Sequence, residues 1–249
     1  MAVDPRRVAD ELEARLRALG TPHRAEHERR YLKSELEHVG ATVWQIRREV
    51  SSFAKEHPNL AHAELVAAVE ALWAKPVHER RMAAVVLLET YPDLIEPRDL
   101  ALLERLVREA KTWALVDGLS EDVLGELLVR HPVAADRLDR WAKDSDFWVR
   151  RSVLLAQIKP LKAGAPFDRF ARYADGMLEE REFFIRKAIG WVLRETGKSR
   201  PDEVFEWLAP LVDRASGVTM REAVKYLSPE QRSALTVKRA SAGPAVEDK

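Results

Sequence analysis

The sequence predicts an all-α protein built from repeated helical units, and three observations predict it. Apolar residues recur at helical spacing along almost the whole 249-residue chain, with no convincing strand alternation. Prolines fall between the apolar segments, at Pro58, Pro76, Pro92, Pro97, Pro132, Pro160, Pro201 and Pro229. Each marks a helix boundary, because proline lacks the amide hydrogen that a helix interior needs. Four segments also resemble one another: "HERRMAAVVLLE", "FWVRRSVLLAQI", "FFIRKAIGWVLR" and "VTMREAVKYLSP".

In each of the four a basic residue (Arg81, Arg151, Lys187, Arg221) enters an apolar helix, and a small residue follows that lets a neighbouring helix pack closely. Units repeated at tens of residues suggest stacked helix pairs, a HEAT-like solenoid with a concave surface suited to something long. The spacing is irregular, which makes the pattern HEAT-like rather than regular HEAT. Between the repeats, Leu100, Leu103, Leu106, Val107 and Ala110 form one helical stripe, and Val123, Leu124, Leu127 and Leu128 another. From Pro229 the periodicity fades. The expected organisation is one repeat domain over residues 1–228 and a flexible tail over 229–249.

Composition narrows the function classes. There is no cysteine, which removes disulfides and thiolate chemistry and fits a cytoplasmic protein. The first residues, "MAVDPRRVADELEARL", lack a signal-peptide core, and no window approaches a membrane-spanning run. Lysine plus arginine equals aspartate plus glutamate at 41 each. The distribution is uneven: residues 60–125 carry 7 basic against 12 acidic residues, and residues 147–200 carry 12 against 6. Such a chain can present a basic face to a polyanion although its total is zero.

Four features are candidates for chemistry. In "KTWALVDGLSEDVLGEL", Trp113, Val116 and Asp117 share one helical face, where a carboxylate is unexpected. Asp117 is either a helix cap, with a new helix near Ser120, or a carboxylate held beside indole to stabilise developing positive charge. Of the seven tryptophans, Trp141 and Trp207 read as packing, whereas Trp113 and Trp191 lie beside groups that suit a cation or a sugar. The stretches "DFWVRRSVLLAQIK" and "REFFIRKAIGWVLRE" interleave basic and aromatic residues as phosphate-contacting surfaces do, or as solvated helix faces do. His23 and His27 stand four apart without a third ligand, so no metal site is expected there. No Gly-rich phosphate loop is present, so no cofactor is expected.

Together these stretches resemble the DNA alkylation repair family of HEAT-like repeat DNA glycosylases, from roughly Arg30 to Lys225. The landmarks are "RYLKSELEHVG", "KTWALVD", "DFWVRRSVLLAQIK" and "EFFIRKAIGWVLRE", of which the last is the most specific. The resemblance implies excision of cationic N3- and N7-alkylated purines from duplex DNA, without drawing the base into a pocket. It places catalytic roles on Trp113, Asp117 and Trp191, and DNA contacts on Tyr31, Arg151, Lys159, Phe183, Phe184 and Arg194; Lys33 and Lys187 join these as basic residues of the same stretches. The expected partner is duplex DNA carrying alkylated purines, with no membrane and no obligate protein partner. One departure is Val43 and Trp44 in "GATVWQIRRE", where the family often has proline, and it leaves contacts by Arg47 and Arg48 open. The alternatives are a non-catalytic relative that binds bent or branched DNA and a protein-binding scaffold.

Overall fold

Prolines and capping side chains set where the helices begin. In the computed structural model, which describes residues 4–241, Asp4 accepts hydrogen bonds from the amides of Arg6 and Arg7 and starts α1 (Pro5–Leu19). Thr21 caps α2 (Pro22–Leu32) in the same way. Thr42 and Gln45 form a reciprocal capping box at α3 (Val43–Glu56). Then follow α4 (His62–Trp73), α5 (His78–Thr90), α6 (Leu100–Ala110) and α7 (Trp113–Asp117). A π-helical turn, Gly118–Leu124, leads into α8 (Gly125–Arg130). The remaining helices are α9 (Leu138–Trp141), α10 (Phe147–Leu155), α11 (Ile158–Lys162), α12 (Asp168–Met177), α13 (Phe183–Gly197), α14 (Pro201–Leu208), α15 (Gly217–Ala223) and α16 (Pro229–Ser241). Among the described residues the fold is all-α, with one isolated bridge between Glu37 and Val77. None of these helices is long and apolar enough to cross a membrane.

The predicted proline boundaries fall at helix starts or in connections, except Pro160. It lies in the first turn of α11, where its missing amide hydrogen costs nothing. The chain packs as two compact units divided between Leu127 and Leu128, inside α8. The expected boundary at 228/229 is not a break in structure. Pro229 opens α16, and Leu235 on that helix is buried. The rest of the expected tail, residues 242–249, lies outside the described residues.

In the first unit α5 is the central element. It packs against α3, α4 and the π-helical turn, and it is buried from Met82 to Leu88. That explains its lack of a polar face: a helix covered on all sides has no use for one. In the second unit α13 has the same role against α10 and α15. Gly190 makes the α13–α15 approach possible. A Cβ there would lie 2.8 Å from Cβ of Glu222 and 2.9 Å from the carbonyl oxygen of Thr219.

The repeated basic segments are structural devices as well. Arg80, at the start of α5, donates to the carbonyls of Leu72 (3.1 Å) and Ala71 (2.7 Å) at the end of α4, and it pairs with Glu13. Arg150 donates to the carbonyl of Asp144 (2.6 Å), and Arg186 to that of Glu180 (2.7 Å). Carbonyls at the ends of helices and turns have no partner of their own, and a guanidinium offers five donors to satisfy them. The next residue in each repeat reaches sideways. Arg81 sits 5.0 Å from the ring centre of Trp73 and donates to the carbonyl of Glu109 (2.7 Å). Arg151 sits 5.6 Å from the ring centre of Phe184 and donates to that residue's carbonyl.

Replacing Arg80 by methionine keeps the apolar stem and removes the donors. Arg80 is buried, so Arg80→Met should destabilise the protein by about 3 kcal/mol in urea unfolding. Arg98→Met on the exposed surface should stay within about 0.5 kcal/mol of wild type.

Candidate DNA-contacting and catalytic residues

Asp117 is held by local backbone rather than by a cap. Lys111 takes a left-handed conformation (φ 52°) after α6, and Thr112 is extended, so the chain turns sharply into α7. Asp117 is the last residue of α7 and is itself helical (φ −66°, ψ −45°). It makes no capping hydrogen bond, and the helix runs on through Gly118. The cap reading of this residue is therefore corrected: the backbone stays helical from α7 into the π-helical turn, and the Asp117 side chain makes no capping bond to it. The π-helical turn that follows widens the backbone by one residue, a distortion found often at functional sites. Gly118 lets this turn press against α5, since a Cβ there would lie 2.8 Å from Cγ1 of Val85 and 3.3 Å from Oε1 of Glu89.

Trp113 and Asp117 sit four residues apart on α7, both half-buried. The exposed ring of Tyr31, at the end of α2, meets Trp113 edge-on with centroids 5.8 Å apart. Lys33 follows at the close of α2, exposed and left-handed (φ 48°). The first unit thus brings Tyr31, Trp113 and Asp117 into one aromatic and acidic group, with Lys33 two residues beyond Tyr31.

In the second unit the candidates fall into two groups. Phe183 and Phe184 open α13 and join Phe147 and Trp148 of α10 in an aromatic cluster, with Phe183 exposed. Arg151 belongs to this cluster, but it is only 2% exposed. Its guanidinium meets the ring and carbonyl of Phe184 at the start of α13 rather than facing solvent. Burial of Arg151 could not be read from a sequence in which it looks like any other basic residue.

The second group gathers around Glu222 of α15. Lys187 and Arg194 of α13 both bond its carboxylate (Arg194 at 2.6 Å), and Lys225 adds a third contact at 2.7 Å. Burial alone would raise this carboxyl. Hydrogen bonds from Lys187 and Lys225, with the charges of Lys187 and Arg194, hold it down at about 2. The Arg194 guanidinium lies 5.9 Å from the ring centre of half-buried Trp191. Lys159 is half-buried on α11. Glu222 was not a sequence candidate, because nothing local ties it to Lys187, 35 residues earlier. It matters because a phosphate would compete with it for the same cations.

Trp44, in the stretch that departs from the family pattern, is exposed on α3 with Arg48 over its ring. Arg47 pairs with Glu89 at 2.7 Å and Arg48 with Glu49 at 3.0 Å.

Residues 12–227 match the model of a family described as DNA alkylation repair enzyme. A solved structure described as a predicted DNA alkylation repair enzyme from Enterococcus faecalis is 25% identical, with a TM-score of 0.77 over 84% of this chain and 97% of that one. AlkD2 from Streptococcus mutans is 15% identical and shares the fold, with a TM-score of 0.64 over 90% of this chain and 100% of that one. No curated protein matches the chain.

The Glu222 network yields a pH prediction. Its folded pKa lies below its ordinary 4.5, so its stabilising contribution is full above that value and is lost as pH falls toward about 2. Glu222→Gln should therefore cost on the order of 2 kcal/mol at pH 7. The gap between mutant and wild-type urea midpoints should close between about pH 5 and pH 2.

Proposed function

Because the chain belongs to the DNA alkylation repair enzyme family, we propose that it is a DNA glycosylase that removes cationic N3- and N7-alkylated purines from duplex DNA. The observation that carries this reading is the pairing of Trp113 with Asp117 on α7, ahead of a π-helical turn and beside the exposed ring of Tyr31. An alkylated purine of this kind already bears a positive charge. When the bond from C1′ to the base nitrogen breaks, its electron pair neutralises the base, so no general acid is needed. The charge passes to the sugar, which gains oxocarbenium character. Asp117 supplies the opposing charge, and the faces of aromatic rings attract the same cation. Water then adds its oxygen to C1′ and releases one proton, leaving an abasic sugar and a neutral base.

The family resemblance gives Trp191 the role of a sugar-packing residue and gives Lys159 and Arg194 contacts with DNA; Lys33 and Lys187, basic residues of the same stretches, add contacts with phosphates. Such contacts fix register and affinity without reading sequence. Substrate choice then follows from the lability of the cationic lesion, with no need to draw the base into a pocket. Lys187 and Arg194 exchange Glu222 for phosphate when DNA binds. Arg151 acts through Phe184, by holding the aromatic cluster at the start of α13.

Asp117→Asn is the test. Asparagine keeps the size of the side chain and its place on α7, and removes one negative charge. Single-turnover release of N7-methylguanine from methylated duplex at saturating enzyme should fall roughly a hundredfold, on the order of 3 kcal/mol, with affinity for intact duplex unchanged. A wild-type rate in the variant would remove Asp117 from catalysis. Binding without any excision by the wild type would favour a DNA-binding protein that lacks the activity.

A further inference from the structure

At the junction of α2, the loop before α3 and the start of α5, four buried carboxylate and imidazole atoms have no hydrogen-bond partner, and Nε of Arg24 on α2 is a fifth buried atom without one. The four are Oε2 of Glu28, Nδ1 and Nε2 of His38, and Nδ1 of His78. Glu28 lies on α2, three residues before Tyr31, and His38 lies in the loop. Glu79, in the first turn of α5, is fully buried at 0% exposure. Its two oxygens accept the amides of Val39 (3.0 Å) and Gly40 (2.6 Å), and Oε1 of Glu28 accepts from Arg24 at 3.3 Å. The ring of His38 lies flat on that of His78, with centroids 4.5 Å apart and planes 9° apart. His78 is 2% exposed.

Buried polar atoms are nearly always paired, so five unpaired at one junction need a cause. An imidazole in its neutral form carries one lone pair on a ring nitrogen. The junction presents lone pairs from two carboxylates and an imidazole. A single proton can bridge two such groups but not three. One donor atom from each of Glu28, His38 and Glu79 lies within 4.8 Å of the other two.

We propose that Glu28, His38 and Glu79 bind one divalent transition-metal ion of the zinc class, which clips α2, the loop and α5 together. An ion centred among the three donors starts no more than about 2.8 Å from each, and side-chain shifts of under about 1 Å close this to normal zinc bond lengths. The imidazole selects zinc-like ions over magnesium and calcium, which take oxygen ligands. The two carboxylates balance the charge of the ion. The amides of Val39 and Gly40 orient Glu79, as outer hydrogen bonds do for metal ligands. His78 backs the His38 ring from behind. The ligands come from three separated parts of the chain, so no local spacing announces them. The clip lies one helical turn from Tyr31, and its effect is to fix the end of α2 that carries that ring. The proposal stands whether or not the protein excises bases.

The test uses the full chain without an affinity tag, stripped of metal with a chelator and titrated with zinc chloride in a calorimeter. One equivalent should bind and raise the unfolding temperature. Glu28→Gln and His38→Gln should each weaken binding at least tenfold. Both positions are partly exposed, so both variants should fold, with circular dichroism as the check. His23→Gln and His27→Gln, at exposed positions on the same helix, should bind as wild type does. Absence of stoichiometric zinc binding overturns the proposal. So does binding that survives both ligand substitutions, binding lost instead with His23 or His27, or an equal response to magnesium chloride.

Discussion

Buried and half-buried guanidinium groups bonded to backbone carbonyls are the constraint on which the helix packing depends. Helices and turns end in carbonyls that cannot be satisfied within the element, and a repeat protein buries many such ends. Arg80, Arg150 and Arg186 each reach back from the start of one helix to the carbonyls of the segment before it. Arg200, ahead of α14, instead reaches across to the carbonyls of Leu161 and Ala165, at and just after the end of α11. Each bond sets the angle at which the next helix leaves its turn. In the first unit this places α5, against which Gly118 presses the backbone beside Asp117. In the second it places α13, which carries Trp191.

A consequence is a division of labour among basic residues that look alike in sequence. Arg80, Arg151 and Arg186 are buried and bonded to backbone. Lys33 is exposed, and Lys187 and Arg194 are partly so. The basic excess of residues 147–200 therefore overstates the charge that can meet a polyanion. Part of it holds helices together, and part is shared with Glu222. Glu222 holds the amino group of Lys187, the guanidinium of Arg194 and the amino group of Lys225 around one carboxylate.

Features that depend on near neighbours were legible in the sequence. Helical spacing, proline boundaries and the Trp113–Asp117 pairing each involve residues within a turn or two. The cap reading of Asp117 failed for a local reason too: Gly118 suggested a helix end, yet its backbone is helical (φ −63°, ψ −46°) and its missing Cβ serves packing against Val85. The helix over 229–241 was missed because it buries little: Leu235 is buried, Val237 is exposed, and Gln231 reaches Asp202 of α14 with a polar contact that no local pattern shows. Long-range relations were not legible. The partners of Glu222, the burial of Arg151 and the meeting of Glu28, His38 and Glu79 all require the fold.

The central claim is that Asp117 stabilises positive charge at the sugar. Equilibrium affinity for two duplexes tests it most directly. One carries a cationic nitrogen-containing abasic mimic, which resembles the charged sugar of the transition state, and the other a neutral abasic mimic of the same shape. The account predicts that the wild type binds the cationic duplex more tightly, by at least tenfold, as expected for a transition-state mimic. It also predicts that Asp117→Asn loses this preference while holding its affinity for the neutral duplex. Equal affinity of the wild type for both duplexes, or a preference that survives in Asp117→Asn, would contradict it.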